Sequence, residues 1–152
     1  MEIIIYTDGS SRGNPGPGGY GAILMSGGKT KELSQGYRRT TNNRMELMAV
    51  IEALKKLKNP GTAALVFTDS KYVVDAVEKK WVLGWEKKAF KDRKNADLWK
   101  EFLKEYRKHH IKFQWIKGHN NHIQNERCDM LAVEASRQPN LPPDAGFFEE
   151  ST

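Results

Sequence analysis

Two short runs, Ile3 to Thr7 and Ala64 to Thr68, limit the folds open to this chain more than any other feature. Both are apolar or β-branched throughout and neither alternates with polar residues. Each therefore reads as a strand buried on both faces in the middle of a sheet. The runs also end in near-identical text, Tyr6-Thr7-Asp8-Gly9-Ser10 and Phe67-Thr68-Asp69-Ser70. If the two strands lie side by side and parallel, Asp8 and Asp69 meet at one sheet edge, where ligands of such sheets collect.

The intervening sequence supplies the connection. After the glycine and proline cluster Gly13 to Gly19, the stretch Tyr20 to Met25 reads as a strand. Ser26-Gly27-Gly28-Lys29 is a hairpin turn, and a further strand runs through Leu33 and Tyr37. Leu47, Val50, Ile51, Leu54 and Leu57 recur at helical spacing, with Asn43 and Glu46 as a capping pair and Asn59-Pro60-Gly61 as the stop. A helical crossover of this kind lays Ala64 to Thr68 parallel to the first strand. Helical patterns come next at Tyr72 to Val77, Trp81 to Trp85 and Leu98 to Tyr106. Ile111, Phe113 and Trp115 alternate as a strand, and a last helix carries Cys128, Leu131, Ala132 and Ala135. The expected fold is α/β, a mixed sheet flanked by helices whose first three strands are antiparallel. Pro139, Pro142 and Pro143 mark a carboxy-terminal tail, so the domain is expected to span residues 1–137 and the tail residues 138–152.

At 152 residues one domain suffices. No stretch approaches the roughly 20 apolar residues needed to cross a bilayer, and the amino-terminal apolar run is too short for a signal peptide. A single cysteine, Cys128, excludes an internal disulfide and a cysteine-rich zinc site, so a cytoplasmic monomer with no membrane partner is expected. The net charge of +6 favours an anionic partner. Its centre lies between Lys79 and Lys94, where seven Lys or Arg residues face only Glu86 and Asp92 and interleave with Trp81, Trp85 and Phe90. That segment reads equally as a solvated helix face or as a nucleic-acid contact. Within it, Trp81 and Trp85 are expected to pack at the base and hold it in place.

Singly, each acid of interest has an ordinary explanation. Asp8 and Asp69 could cap the segments after them, Glu46 could close a capping box with Asn43, and Asp129 could favour a helix amino-terminus. The joint arrangement argues otherwise: two acids at strand ends and two in first helical turns, all on elements that pack on one sheet. Glu46 shares a stripe with Val50, Ala53 and Leu57, which turns it toward the core. Clustered carboxylates cannot all remain ionised in a partly buried site without a cation. Hard oxygen ligands suit Mg²⁺ or Mn²⁺, and a pair of such ions supports in-line phosphodiester hydrolysis.

Four blocks then resemble a known family. They are Thr7-Asp8-Gly9-Ser10 with Gly13-Asn14-Pro15-Gly16-Pro17-Gly18-Gly19, Thr40-Thr41-Asn42-Asn43-Arg44-Met45-Glu46-Leu47, Thr68-Asp69-Ser70, and Lys117-Gly118-His119 with Asn125-Glu126-Arg127-Cys128-Asp129. As a set, from about Ile3 to Ala135, they resemble the type 1 bacterial ribonucleases H. The resemblance implies a five-stranded mixed sheet and Mg²⁺-dependent cleavage of the RNA strand of an RNA–DNA hybrid, leaving 3′-hydroxyl and 5′-phosphate ends. It implies that Asp8, Glu46, Asp69 and Asp129 bind two metal ions, with Asp8 bridging them, and that His119 is a mobile catalytic histidine. His122 is expected to be merely exposed. Asn14, Asn42 and Asn43 match contacts to hybrid backbone and ribose hydroxyls, and Arg39 and Thr41 match a DNA-phosphate pocket. Side-chain amides suit a 2′-hydroxyl, which both donates and accepts.

Two positions depart from the pattern. Lys71 stands where the family often has glutamine, which replaces a hydrogen bond by a charge interaction with phosphate. The basic segment is shorter than in familiar members, and its Lys87, Lys88, Lys91, Arg93 and Lys94 are expected to hold DNA phosphates. Two other classes compete with this reading. A non-catalytic hybrid-binding module is disfavoured by the presence of all four acids and His119. A strand-transfer or junction-cutting enzyme is disfavoured by the lack of a zinc module and of an additional DNA-binding domain.

Overall fold

A computed structural model describes residues 2–117 and 122–147. Its five-stranded sheet has the order β3-β2-β1-β4-β5. Strands β1 (Ile3–Ser11), β2 (Gly16–Ser26) and β3 (Lys29–Thr40) form an antiparallel meander with its tight turn at Gly27-Gly28. Helix α1 (Asn42–Lys55) then crosses over, so β4 (Ala63–Thr68) enters parallel to β1 with Tyr6 opposite Phe67. Helices α2 (Lys71–Glu78), α3 (Trp81–Lys87) and α4 (Ala96–Tyr106) lead to β5 (His110–Trp115), parallel to β4. Helix α5 (Ile123–Ser136) comes last. None of these helices is long and apolar enough to cross a membrane.

The two central strands are less symmetrically buried than their composition suggests. Ile5, Ala64 and Val66 are fully covered on the α1 side. On the opposite face α5 packs on β1, β2 and β3, and Tyr6 and Phe67 stack on each other at 4.8 Å, only half-buried. β1 also runs beyond Asp8 to Ser11, because its antiparallel pairing with β2 continues after the parallel pairing with β4 has ended at Tyr6. Asp8 is thus inside a strand and not at its end.

Helix α1 starts two residues earlier than the expected capping pair implies. Thr41 is its N-cap, with a side-chain oxygen accepting from the Arg44 N–H at 3.3 Å. Asn43 and Glu46 are therefore not the capping pair, and Glu46 lies in the second turn. Asp129, the seventh residue of α5, is likewise beyond the first turn. The buried stripe of α1, including Leu47, Val50, Ile51 and Leu54, packs on the sheet and on α4. There Trp99 and Phe102 are fully buried and meet edge to face at 5.5 Å. Beyond α5 the chain stays on the domain: the Arg38 N–H donates to the Pro142 carbonyl at 3.0 Å, and Asp144 is buried.

Candidate active site

The helix starts next to Asp69 and Glu46 have other caps. Ser70 caps α2 by accepting from Val73 N–H at 3.2 Å, as Thr41 caps α1, so neither Asp69 nor Glu46 is used in that way. Glu46 instead reaches across to β1, where its Oε1 accepts the Gly9 N–H at 2.5 Å. That approach needs a glycine: a Cβ on Gly9 would lie 2.3 Å from the Met45 carbonyl carbon and 2.4 Å from the Glu46 nitrogen. The Gly9 N–H also contacts Asp8 Oδ1 at 2.9 Å, so one backbone donor ties both acids.

Ligand oxygens of Asp8, Glu46 and Asp69 all lie within 4.8 Å of one another. Asp8 and Glu46 are buried, and Asp69 is half-buried at the end of β4. Asp129 stands outside this triplet but lines the same cleft of about 430 Å³ with Asp8 and Asp69. The electrostatics record the crowding. Burial pushes the Asp8 carboxyl from 3.8 up to about 7, with the charges of Asp69 and Asp129 adding and the hydrogen bonds from Glu46 and Gly9 opposing. Burial, the charge of Asp8 and a hydrogen bond to it push Glu46 well above the usual carboxylate range. A site whose acids resist ionisation, with hard oxygen donors converging, fits a divalent cation.

Asn42 and Asn14 are tied to the end of β1 at Ser11. Asn42 Oδ1 accepts from the Ser11 N–H at 2.6 Å and hydroxyl at 3.0 Å, and Asn14 Oδ1 accepts the Asn42 N–H at 3.1 Å. Because backbone donors fix the amide oxygens, the NH₂ ends are the groups these exposed side chains can offer outward. Asn14, Thr41 and Asn43 line one groove of about 900 Å³ with Arg93 and Lys94. Arg39 is exposed on β3 and is not among the residues lining that groove. Lys71, Arg93 and Lys94 line a second cleft of about 420 Å³ with Trp81 and Trp85. Lys87, Lys88 and Lys91 are exposed but border neither.

Lys71 Nζ sits 4.8 Å over the Trp115 ring, whose indole N–H donates to the Asp69 carbonyl at 3.1 Å. In the basic segment Trp85 packs edge-on against Trp99 at 5.7 Å, as expected for a base, and the Arg93 guanidinium lies 4.8 Å over its ring. Trp81 departs from that expectation: it is 47% exposed, with the Lys79 ammonium 5.0 Å over its ring. His119 lies outside the described residues. His122, the N-cap residue of α5, makes no side-chain capping bond and is half-exposed.

Two participants escape a reading of the sequence alone. Gly9 is visible as part of Asp8-Gly9 but not as the donor to Glu46. Asn125 is 4% exposed, lines the carboxylate cleft and has a buried Oδ1 without a hydrogen-bond partner among the described residues. Its signal is its place one helical turn before Asp129.

Known proteins place this arrangement. A family model described as RNase H matches residues 1–137. A Ribonuclease H of Trichodesmium erythraeum (strain IMS101) is 53% identical over 151 residues, which cover 96% of each chain. Among solved structures, LC9-RNase H1, a type 1 RNase H with the type 2 active-site motif, superposes with a TM-score of 0.79 at 32% identity, covering 89% of this chain and 72% of that one. LC11-RNase H1, solved in complex with an RNA/DNA hybrid, gives a TM-score of 0.62 at 31% identity, covering 88% and 95%. With its five-strand mixed sheet, its acidic cleft and this degree of identity, the chain belongs to the RNase H family.

Proposed function

We propose that this protein hydrolyses the RNA strand of RNA–DNA hybrids with Mg²⁺, leaving 3′-hydroxyl and 5′-phosphate ends. The observation that carries the reading is the convergence of Asp8, Glu46 and Asp69 within 4.8 Å at a cleft also lined by Asp129. The family membership and the hybrid held by LC11-RNase H1 support the choice of substrate.

Asp8, Glu46, Asp69 and Asp129 would hold two Mg²⁺ ions, or Mn²⁺ in their place. When bound, the ions supply activation of a water and neutralisation of charge on the phosphate and leaving oxygens. The chain itself provides the alignment. The Gly9 N–H keeps Glu46 turned onto Asp8, and the Trp115 indole holds the Asp69 backbone. The outward amides of Asn14 and Asn42, with Asn43, would donate to phosphate and ribose oxygens, including the 2′-hydroxyl that marks RNA. Arg39, Thr41, Lys71, Lys87, Lys88, Lys91, Arg93 and Lys94 would meet phosphates. His119 would move a proton as product departs. All these groups come from one chain, so the reading requires only a monomer.

The test is incubation with Mg²⁺ and matched hybrid, duplex DNA and duplex RNA, with end analysis of the products. Cleavage confined to the RNA strand of the hybrid is expected. Asp69→Asn should retain hybrid binding and lose roughly a thousandfold or more in turnover, since the amide keeps shape but loses the charge that holds metal. Binding without cleavage by the wild type would favour a non-catalytic module, and cleavage of duplex DNA would favour the strand-transfer class.

A further inference from the structure

The chain beyond α5 turns back over the molecule and reaches a buried ion network. The side chains of Arg44 and Asp144 are 2% and 3% exposed. Arg44 Nε donates to Asp144 Oδ2 at 2.7 Å and Nη2 to Oδ1 at 3.0 Å, while the Thr40 hydroxyl donates to the same Oδ2 at 2.8 Å. On its other edge the guanidinium donates to Asp97 at 2.9 and 2.8 Å, and Nη1 also reaches Asn95 Oδ1 at 3.2 Å. Two bidentate carboxylates therefore hold the planar fork in one orientation. Burial works against the Arg44 charge, but these hydrogen bonds outweigh it and raise its pKa.

The orientation matters because of what Asn95 connects. It has a left-handed backbone (φ 63°) and joins the basic segment to α4. Its oxygen is gripped by Arg44, and its Nδ2 donates at 3.0 Å to the Tyr72 hydroxyl, which also accepts from the Trp99 indole at 2.9 Å. The tail adds a backbone wedge. At Gly146 a Cβ would lie 1.9 Å from Asp97 Oδ2 and 2.8 Å from Arg44 Nη2, so any larger residue there would push on the clamp itself.

We propose that residues 138–147 are a strap that positions the substrate groove, with Asp144 as the positioning residue acting through Arg44 on Asn95. The groove has Thr41 and Asn43 on the α1 side, Lys94 and Asn95 on the basic-segment side, and Gly146 and Phe147 from the strap. Arg44 lies in the first turn of α1 beside Asn43, so its clamp sets the spacing between the two walls. Asp144 touches no reacting atom. Glu46, two residues further along α1, is held independently by the Gly9 N–H, so the acids keep their alignment when the clamp is loosened. Without the Asp144 charge, the buried guanidinium is left with Asp97, whose side chain is 44% exposed, and turns toward it.

The inference rests on the hybrid-cleaving function and is tested on the full chain with Asp144→Asn. Steady-state cleavage of an RNA–DNA hybrid, measured well below the melting temperature, should show KM raised roughly five- to tenfold and kcat within about twofold of wild type. The Arg44 Nε–H and Asn95 side-chain resonances, read by ¹⁵N NMR without substrate, should shift. Leu57→Ala, a cavity variant beyond the far end of α1, should lower Tm without moving KM or those resonances. Asp97→Asn, on the more exposed edge of the same guanidinium, should repeat the KM effect and reads the coupling if Asp144→Asn does not fold. A lowered Tm with unchanged KM and unchanged Asn95 resonances in these variants would overturn the proposal and leave the strap a brace. Failure of the wild type to bind or cleave hybrid would instead overturn the functional reading itself.

Discussion

Loading the carboxylate cleft with a divalent ion should expel protons, because burial holds them on its acids. Asp8 is pushed up to about 7 and Glu46 well above the usual range, chiefly by burial, and the two titrate as a pair. In the metal-free protein the folded state therefore holds protons that the unfolded chain releases near pH 4. This contribution to stability is present at low pH and is lost as pH rises through about 7. A bound cation needs the ionised carboxylates, which reverses the dependence. At pH 6 Asp8 carries about 0.9 of a proton and at pH 8 about 0.1, and Glu46, raised by the same burial, adds to the protons that a cation must expel. Since the slope of log affinity against pH equals the protons released, Asp8 alone should make the site bind its ion about tenfold more tightly at pH 8 than at pH 6, and Glu46 should add to that gain. The assay is calorimetric titration with Mn²⁺ alone, which binds such sites more tightly than Mg²⁺, in buffers of different ionisation enthalpy. Glu46→Gln should release fewer protons than the wild type on binding the ion. Heats independent of buffer at pH 6 would show that these carboxylates are already ionised, and the reasoning from burial would be refuted.

Gly9→Ala should destabilise the fold by about 3 kcal/mol or more, since the added methyl meets backbone of α1 and not a side chain that can move aside; chemical denaturation measures it. Replacing Lys87, Lys88, Lys91, Arg93 and Lys94 by alanine should raise KM, leave kcat nearly unchanged and flatten the salt dependence, each lost phosphate contact removing roughly 0.9 from the slope of log affinity against log salt. A salt series on hybrid cleavage decides this, and an unchanged slope would make the segment a solvated surface. Cys128→Ala should fold and cleave normally at a stability cost on the order of 1 kcal/mol, because the thiol is buried on the inner face of α5, kept protonated by that burial, and donates only weakly to the Tyr6 carbonyl at 3.4 Å. An inactive but folded variant would show that it takes part in the chemistry.

Much of this molecule is written in its local sequence. The apolar runs at Ile3 and Ala64, the hairpin at Gly27-Gly28 and the stripe of Leu47, Val50, Ile51 and Leu54 each state their element within a few residues, because strand and helix periodicity is a near-neighbour property. The repeated Thr-Asp at the ends of those runs also announces that two acids will meet. Which polar group serves which role is decided elsewhere. Thr41 and Ser70 take the capping positions, and that leaves Glu46 to accept a hydrogen bond from Gly9, 37 positions away in the chain. Trp81 and Trp85 look alike in sequence, yet only Trp85 finds a buried partner in Trp99. Nothing next to Arg44 in the chain supplies its counter-charge, which comes from Asp144, 100 positions away and buried beside it. A charge in the interior is tolerated only where its counter-charges and hydrogen bonds already stand, and no local pattern can say which distant segment brings them.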